Sequence, residues 1–570
     1  MKPKFYIPIL ILNLLPLFLK AQGLIIPSNA YIISGNGNIV LQSNWTNNGT
    51  FTHNSGTVIF GGTVQTLGGT SSTTFNNITV ASTSNTTIIT AGHTLKAILL
   101  SNDTLNAGGN LTLLSTASQT ALIDGTGTGE VLGNVAIQRY LASGFGYKYF
   151  SSPFLAATVN EFSDDINFAD TFPPFYRYDE NLVSSGWVID TITSNLLTPT
   201  QGYNANFGSS SASTTADITG VVNNHTLSAT LYNHNRPYTL GFNLVGNPYP
   251  SPVDWDLAGG WTRTNIDNAV YYFNAGTTNQ YTGTYSSYIN GVSSNGTANN
   301  IIAAMQGFFI HVSNGTYPVT ATFSVNNNAR INNLVPNFYR APPLSVPLLR
   351  LTAAFDGGIS DAVVIYFADE AISSFDREKD ALKIMNTDSQ VPNLYALSTD
   401  AARLSIISWP ATYDSTSTIP LGLQIKHAGS IIFNTQDMER IPYGQHIYLY
   451  DAKTGKTQDL QSDPQYRLFL EEGTYENRFS IVFHKKDNGS SSETGTTVYS
   501  INGKLYVYLK NIPDAKCSIS ITNLLGQTVL QKDLYGNGYH ELGSQFSSGL
   551  YIVSFYTKQH TFSKKVVISK

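Results

Sequence analysis

Catalytic chemistry needs converging side chains, and the 570-residue chain offers few. Its ten histidines are scattered. His225 and His234 are the closest pair across a turn, and two imidazoles alone do not make a metal centre. The single cysteine, Cys517, allows no intramolecular disulfide. It stands in an alternating apolar run with no neighbouring histidine, which fits a small core residue better than a nucleophile. The chain has no Gly-x-Ser-x-Gly elbow, no His-Glu-x-x-His signature, no phosphate loop and no dinucleotide fingerprint. Asp103, Asp124 and Glu130 are the only acids in residues 22–133, a stretch with one Lys, Lys96, and no Arg. Two of these acids could form a glycosidase pair, although acids at a domain edge usually face solvent. Asp164-Asp165 and Asp254-Trp255-Asp256 could lend oxygens to a structural calcium ion, but neither has the spaced acids and glycine of a calcium loop. The expectation is no catalytic residue, no metal ligand and no cofactor.

Recognition has a better candidate. Trp255, Trp261, Tyr271, Tyr281, Tyr285 and Tyr288 lie within a short stretch. Aromatic faces stack on sugar rings, and the Asn and Asp between them can bind hydroxyls. These six are the expected glycan contacts. The competing reading is that alternating tyrosines fill a sheet core.

The elements that must position such residues are strands. Only 12% of residues are charged while 12% are aromatic, and Gly, Ser, Thr and Asn are abundant. That texture favours a β-rich exported protein. The net charge of -5 gives no reason to expect nucleic acid as a partner. Residues 22–133 carry apolar pulses every eight to ten residues, such as Val58-Ile59-Phe60 and Leu111-Thr112-Leu113, between Asn/Gly turns. This predicts a β-solenoid with Thr and Asn ladders and small residues at the corners. From Asn134 the chain becomes rich in Tyr and Pro. Gly246-Asn247-Pro248-Tyr249-Pro250 and Gln306-Gly307-Phe308-Phe309 mark residues 134–330 as a β-domain. Residues 331–347 read as a Pro-rich linker, 348–486 as a β-sandwich with one short helical candidate around Phe375 to Ile384, and 487–496 as a flexible Ser/Gly tether.

The ends carry addresses. Lys2 and Lys4 precede an apolar run from Ile7 to Leu19 that is too short to span a bilayer comfortably. Residues 1–21 therefore read as a signal peptide cut between Ala21 and Gln22, with no membrane-spanning segment in the mature protein. Residues 497–570 read as a small Ig-like sandwich of alternating strands. They contain three ordered motifs: the Asn523-Leu524-Leu525-Gly526-Gln527 turn, the Gly549-Leu550-Tyr551 strand entry, and Lys564-Lys565-Val566-Val567 at the terminus. In these motifs the segment resembles the type A C-terminal sorting domain of the type IX secretion system of Bacteroidetes-type bacteria. The resemblance implies Asn523, Leu525, Gly526, Gly549, Leu550, Tyr551, Lys564, Lys565, Val566 and Val567 as the sorting motif, the secretion machinery as partner, and secretion or outer-surface display as destination.

The sequence thus predicts an all-β multidomain export cargo with an N-terminal β-solenoid, two central sandwich-like regions and a small terminal sandwich. The expected role is that of a non-catalytic adhesin or binding protein. The alternatives are a carbohydrate-active enzyme, a polysaccharide lyase or hydrolase, working on the solenoid, and a structural surface spacer.

Overall fold

A computed structural model describes residues 23–568 apart from 83, 89–91, 336–345, 412–416, 442–445, 484–494, 502–503, 511–515, 537, 544–545 and 557–560. The signal-peptide cleavage point at Ala21 and Gln22 lies outside the described residues. Helical structure among the described residues is confined to two single-turn 3-10 segments, Val159–Phe162 and Asn327–Ala329. The chain forms two units, 1–485 and 486–570.

The solenoid is present, with about five turns. Three strands make a turn, and equivalent strands of successive turns pair in parallel, as in Leu24↔Trp45, Asn85↔Val64 and Thr86↔Leu105. Those pairs are separated by 21, 21 and 19 residues (45 − 24, 85 − 64, 105 − 86). The eight-to-ten-residue pulse in the sequence therefore marks successive strands, and the true repeat is the turn. Trp45, Phe51 and Phe75 fill the interior, with Trp45 lying 4.9 Å from Phe51 and 5.2 Å from Phe75 between ring centroids. Asparagines stitch the rungs: Asn44 Oδ1 accepts from Thr66 N at 3.0 Å and Asn48 Oδ1 from Thr70 N at 2.9 Å. Corners need small residues. At Gly69, with φ +121°, an added Cβ would lie 2.0 Å from the Asn47 carbonyl oxygen. Parallel stacking also explains the scarcity of charge. It places equivalent side chains of adjacent rungs about 4.8 Å apart, and like charges so placed repel.

The solenoid does not end where the composition changes. Strand Asn134–Leu141 pairs in parallel with the last solenoid rung, Leu111–Leu113, on one side. On its other side it pairs antiparallel with Thr214–Val222 from the Tyr/Pro-rich region. One apolar core runs from Ile26 to Met305 across that junction.

In the Tyr/Pro-rich region a five-stranded sheet is ordered Phe242–Gly246, Gly307–His311, Val270–Ala275, Gly283–Ile289, Val292–Ser293. Both of its faces are covered. Val270 and Tyr272 join a core shared with Phe323 and Val325 of Val319–Val325. Tyr271 joins a core shared with Leu348, Val364 and Ile406 of the following region. A second, four-stranded sheet holds Tyr147–Ser151, Gly202–Asn206, Phe175–Tyr178 and Trp187–Ile189.

Residues 348–483 form one eleven-stranded sheet. It curls on itself: Phe433 of Gly429–Glu439 packs 4.9 Å from Phe479 of Gly473–Val482, six places away in the strand order. The helix expected around Phe375 to Ile384 is absent. Asp380 N donates to Asp376 O, Asp376 N returns a bond to Asp380 Oδ2, and the turn leads directly into the short strand Ala381–Leu382. This region is tied to its predecessor by buried polar contacts. Arg350 Nε donates to Ser294 O at 3.0 Å and its Nη2 to Ser293 O at 2.9 Å, while Nη1 meets Asp437. Ser287 and Ser405 hydroxyls share a bond of 2.7 Å.

The Gly-Asn-Pro-Tyr-Pro stretch at 246–250 and the Gln-Gly-Phe-Phe stretch at 306–309 meet at a single buried node. Asn247 is fully buried, and its Nδ2 donates to the carbonyls of Ser251 and Ala303, both at 2.8 Å. Its Oδ1 accepts from Tyr249 N. Gln306 Nε2 donates to Tyr149 O, and Gln306 Oε1 receives Arg139 Nη2 at 2.5 Å. Arg330, the last residue before the Pro-rich linker, is buried beside them. It donates to Ser251 Oγ and to the solenoid carbonyl of Ile123, with Tyr249 under its guanidinium. Burial pulls the Arg330 guanidinium down to about 10, which leaves it charged at neutral pH.

In unit 486–570, Gly495–Ile501, Lys504–Lys510 and Gly538–Gly543 form one sheet. Thr528–Tyr535, Lys516–Asn523, Gly549–Tyr556 and Thr561–Ile568 form the other. Leu505, Val507, Ile519, Ile521, Val553 and Phe555 make the core. Cys517 belongs to it, and burial pushes its thiol up, so it is the packing residue its strand position implied.

Asn247→Ala removes two donors and one acceptor from a fully buried site. Unsatisfied buried groups each cost about 1–3 kcal/mol, so the variant should lose about 3 kcal/mol in urea denaturation. Exposed Asn54→Ala should change by less than about 0.5 kcal/mol. A loss at Asn247 as small as that at Asn54 would remove the node's structural importance.

Candidate functional site

An aromatic cleft of about 390 Å³ opens between the four-stranded and five-stranded sheets. One wall carries Tyr147, Tyr149, Tyr176 and Trp187, the other Phe273, Tyr281 and Tyr285. Alternation on Tyr147–Ser151 aims Tyr147 and Tyr149 to the same side, and the antiparallel pairing of Phe175–Tyr178 with Trp187–Ile189 brings Tyr176 and Trp187 beside them. The base is rigid. Tyr149 stacks on Phe273 at 4.9 Å and shares a hydroxyl–hydroxyl bond of 2.9 Å with Tyr285. The mouth is open, with Phe172 46%, Tyr281 42% and Ile189 55% exposed. Burial raises the Tyr147, Tyr149 and Tyr176 phenols and pushes Tyr285 up to about 12, so all four remain neutral hydroxyls at physiological pH. Among the described residues no charged side chain lines the cleft. Asn204 does line it: the residue is 6% exposed, and its buried Oδ1 has no hydrogen-bond partner.

Of the six expected glycan contacts, the cleft gathers Tyr281 and Tyr285. The other four are structural. Trp255, Tyr271 and Tyr288 are buried to within 1% of full burial. Trp255 Nε1 donates to Asn268 O at 2.8 Å, Tyr271 hydroxyl accepts from Leu382 N at 2.9 Å, and Tyr288 hydroxyl donates to Asp256 Oδ2 at 2.5 Å. Trp261 is half-buried against Trp255 at 5.0 Å and donates to Asp254 O. The physical reason is the doubly covered sheet: where both faces are packed, alternating tyrosines go into two cores. Tyr147, Tyr149, Tyr176, Trp187 and Asn204 were not singled out in the sequence. The available signal was the i, i+2 spacing in Tyr147-Lys148-Tyr149 and Tyr176-Arg177-Tyr178, which places aromatics on one face of each strand.

The acids considered for catalysis are engaged elsewhere. Burial tends to raise the Asp124 carboxyl, but bonds from Thr126 N, Thr126 Oγ1 and Asn332 Nδ2 outweigh it and hold the group below its usual range. A general acid needs the opposite shift. Asp103 accepts from Thr104 N, and Glu130 pairs with His225 at 3.1 Å. His234 binds Glu180 instead, at 2.6 Å, so the two histidines serve separate partners. Asp254 Oδ1 accepts from Asp256 N and Asn300 Nδ2, closing a turn. Among the described residues no group of three or more His, Cys, Asp or Glu is arranged to hold a metal ion.

The terminal unit brings its three sequence motifs together. Asn523 pairs with Tyr551, and Tyr551 pairs with Val566, on three adjacent strands. Leu550 faces Val567, and Val553 faces Lys564. Asn523 Oδ1 accepts from Leu525 N and Gln527 N, both at 3.0 Å, and Gly526 takes φ +78°, which locks the turn. The turn presents Leu525, 83% exposed, while Tyr551 anchors the motif in the core. Lys564, Lys565 and Val567 are exposed and Val566 is buried.

Residues 493–569 match the secretion system C-terminal sorting domain. This is an export cargo of the type IX system, bound for the outer surface or the medium and recognised by the secretion machinery through its terminal domain. Residues 35–483 match the model described as "Domain of unknown function (DUF8693)", and the chain belongs to that family. That match crosses the expected boundaries at 133, 330 and 347, in keeping with the shared cores. No curated protein matches. Among solved structures, a chain titled "Biofilm associated protein - BSP domain" aligns over 76% of this chain and 92% of its own, at 9% identity and a TM-score of 0.17. No helix among the described residues is long and apolar enough to cross a membrane.

Two predictions follow from these sites. Deleting residues 497–570 should leave the protein in the periplasm, and normal surface display of the truncated chain would sink the sorting role. The second concerns Asp165. Burial, with Asp164 and Asp217 nearby, raises its carboxyl to about 7, and its buried Oδ2 has no partner. The folded state then holds a proton that the unfolded state releases, so stability falls as pH rises from about 4 through 7. Asp165→Asn should raise the thermal midpoint at pH 8 and raise it less at pH 5. An equal gain at both pH values would refute the assignment.

Proposed function

We propose that this protein is a non-catalytic, surface-displayed binding protein of the adhesin type, whose aromatic cleft takes an uncharged sugar. The observation that carries the reading is Asn204. An orphaned buried acceptor costs about 1–3 kcal/mol, and this one lines the cleft. A ligand hydroxyl donating to Asn204 Oδ1 recovers that cost, while Trp187 and Tyr281 offer ring faces to the apolar side of a pyranose. The tyrosine hydroxyls, Ser185 and Thr387 supply further polar contacts at the walls. The absence of charge in the lining disfavours acidic polysaccharides. The volume is at the lower end of the roughly 300–1,000 Å³ of small-molecule sites, which suits a short stretch of glycan.

The non-catalytic part rests on the lining itself. Glycoside cleavage needs an acid and a base or nucleophile flanking the bond, and among the described residues the cleft presents neither carboxylate nor imidazole. The test is a panel of neutral and acidic polysaccharides with purified protein. A neutral glycan should bind without new reducing ends or unsaturated products. Trp187→Ala and Tyr281→Ala should each weaken binding about tenfold, roughly 1.4 kcal/mol, and core variant Tyr288→Phe should not. Turnover of any member would replace the adhesin reading with an enzyme.

A further inference from the structure

A second and larger cavity, about 930 Å³, lies between the loop after Leu227–Asn233, the loop after Gly307–His311, and residues 382–385 and 397–403. It has no part in the aromatic cleft. Its floor is aliphatic rather than aromatic: Leu382, Ile384 and Met385 are half-buried there beside the ring of Phe242. Its rim bears Tyr238, 68% exposed, and Leu240, 54% exposed.

Leu240 is the informative residue. Its φ is +50°, a left-handed conformation that a side-chain-bearing residue disfavours. Asn235 (φ 54°) and Ala401 (φ 64°) on the same cavity are also left-handed. Strain of this kind persists only where surrounding structure enforces it, and here it does. Glu180 receives His234 N at 2.9 Å and Nδ1 at 2.6 Å, and its carbonyl receives Thr239 Oγ1 at 2.6 Å. Arg236 is held on Asn181. The loop therefore presents an apolar side chain to water in a strained, fixed pose, at the mouth of an apolar-floored cavity. Such a residue contributes when apolar material covers it.

The cavity's charges are already matched. Lys383 Nζ lies 2.5 and 2.7 Å from the two Asp361 oxygens, and Arg403 Nε is 2.9 Å from Glu476 Oε1. An ionic ligand would have to break one of these pairs. Asn235 and Asn477 place uncharged amides among the lining residues.

We infer that this cavity is a binding site for a neutral amphiphile. The aliphatic chain lies on Ile384 and Met385 under Leu240, and the hydroxylated head meets the rim amides. Octyl glucoside below its critical micelle concentration is the probe, titrated calorimetrically into the full-length protein beside glucose, octyl sulfate and octyltrimethylammonium. Octyl glucoside should saturate one site, glucose should not bind there, and the charged octyl compounds should bind at least tenfold more weakly. Leu240→Gly relieves the strain, so its thermal midpoint should hold or rise while affinity falls about tenfold. Met385→Gln should weaken binding similarly, and Trp187→Ala should leave it intact. The inference is overturned if octyl glucoside does not saturate, if glucose or the charged compounds bind as well as it does, or if Leu240→Gly binds as the parent does. Loss of binding in Trp187→Ala would also overturn it, because the probe would then occupy the aromatic cleft.

Discussion

The cargo unit depends on a buried polar node. Asn247, Gln306 and Arg330 sit where the last solenoid rungs, the four-stranded sheet and the five-stranded sheet come together. Sheets that meet at their edges bring backbone carbonyls into a dry junction, and those carbonyls need donors. An amide with two donors and an acceptor satisfies several at once, and an arginine reaches farther. Glycine is required beside them. A Cβ at Gly246 would lie 2.0 Å from Ser151 Cβ, and one at Gly307 2.7 Å from Phe150 O. The Gly-Asn-Pro-Tyr-Pro and Gln-Gly-Phe-Phe stretches are thus two sides of one junction. Their chemistry is architectural, which accounts for polar residues placed in a core without any catalytic constellation.

This junction also explains why the composition change at Asn134 is not a boundary. A solenoid leaves an unpaired strand edge at each end. Here the later end is used: Asn134–Leu141 continues the parallel stack and Thr214–Val222 closes it antiparallel. The charge-poor composition stops because the stacking stops. The core does not stop, and the Arg330 bond to Ile123 holds the two textures together. The same logic applies farther along, where Arg350 bridges to the carbonyls of Ser293 and Ser294.

Period-two patterning made the strands legible, and with them the all-β class, the solenoid and the terminal sandwich. In that sandwich the pattern is clean because each sheet has one packed face, as Ile519, Ile521, Val553 and Phe555 show. The aromatic site was only partly legible for the opposite reason. Tyr271, Tyr272 and Phe273 are consecutive on a sheet packed on both faces, so alternation there distinguishes two cores and does not separate core from surface. Which tyrosines reach solvent is decided by where the four-stranded sheet stops covering its neighbour. That is a fact about contacts between Tyr149 and Phe273, far apart in sequence. Asn204 was illegible for a related cause: an asparagine in a strand declares nothing until its partners are counted.

The architecture separates address from task. In the terminal unit the motif residues are divided between a core that fixes the turn and strand register and an outer surface that presents Leu525, Val567 and the two lysines. That surface carries the export address and contributes no residue to the cavities of the cargo unit. The cargo unit has the reverse arrangement. Its aromatic cleft is lined, among the described residues, by neutral side chains, its larger cavity includes the paired Lys383 and Arg403, and both are backed by cores shared between neighbouring sheets. A ligand bound in the aromatic cleft therefore meets walls already fixed by Tyr149, Phe273 and Tyr285, and little ordering remains to be done on binding. With a single cysteine and so no intramolecular disulfide, the cargo unit relies on those shared cores, the node at Asn247 and buried ion pairs such as Lys383 with Asp361 to hold the cleft walls in place.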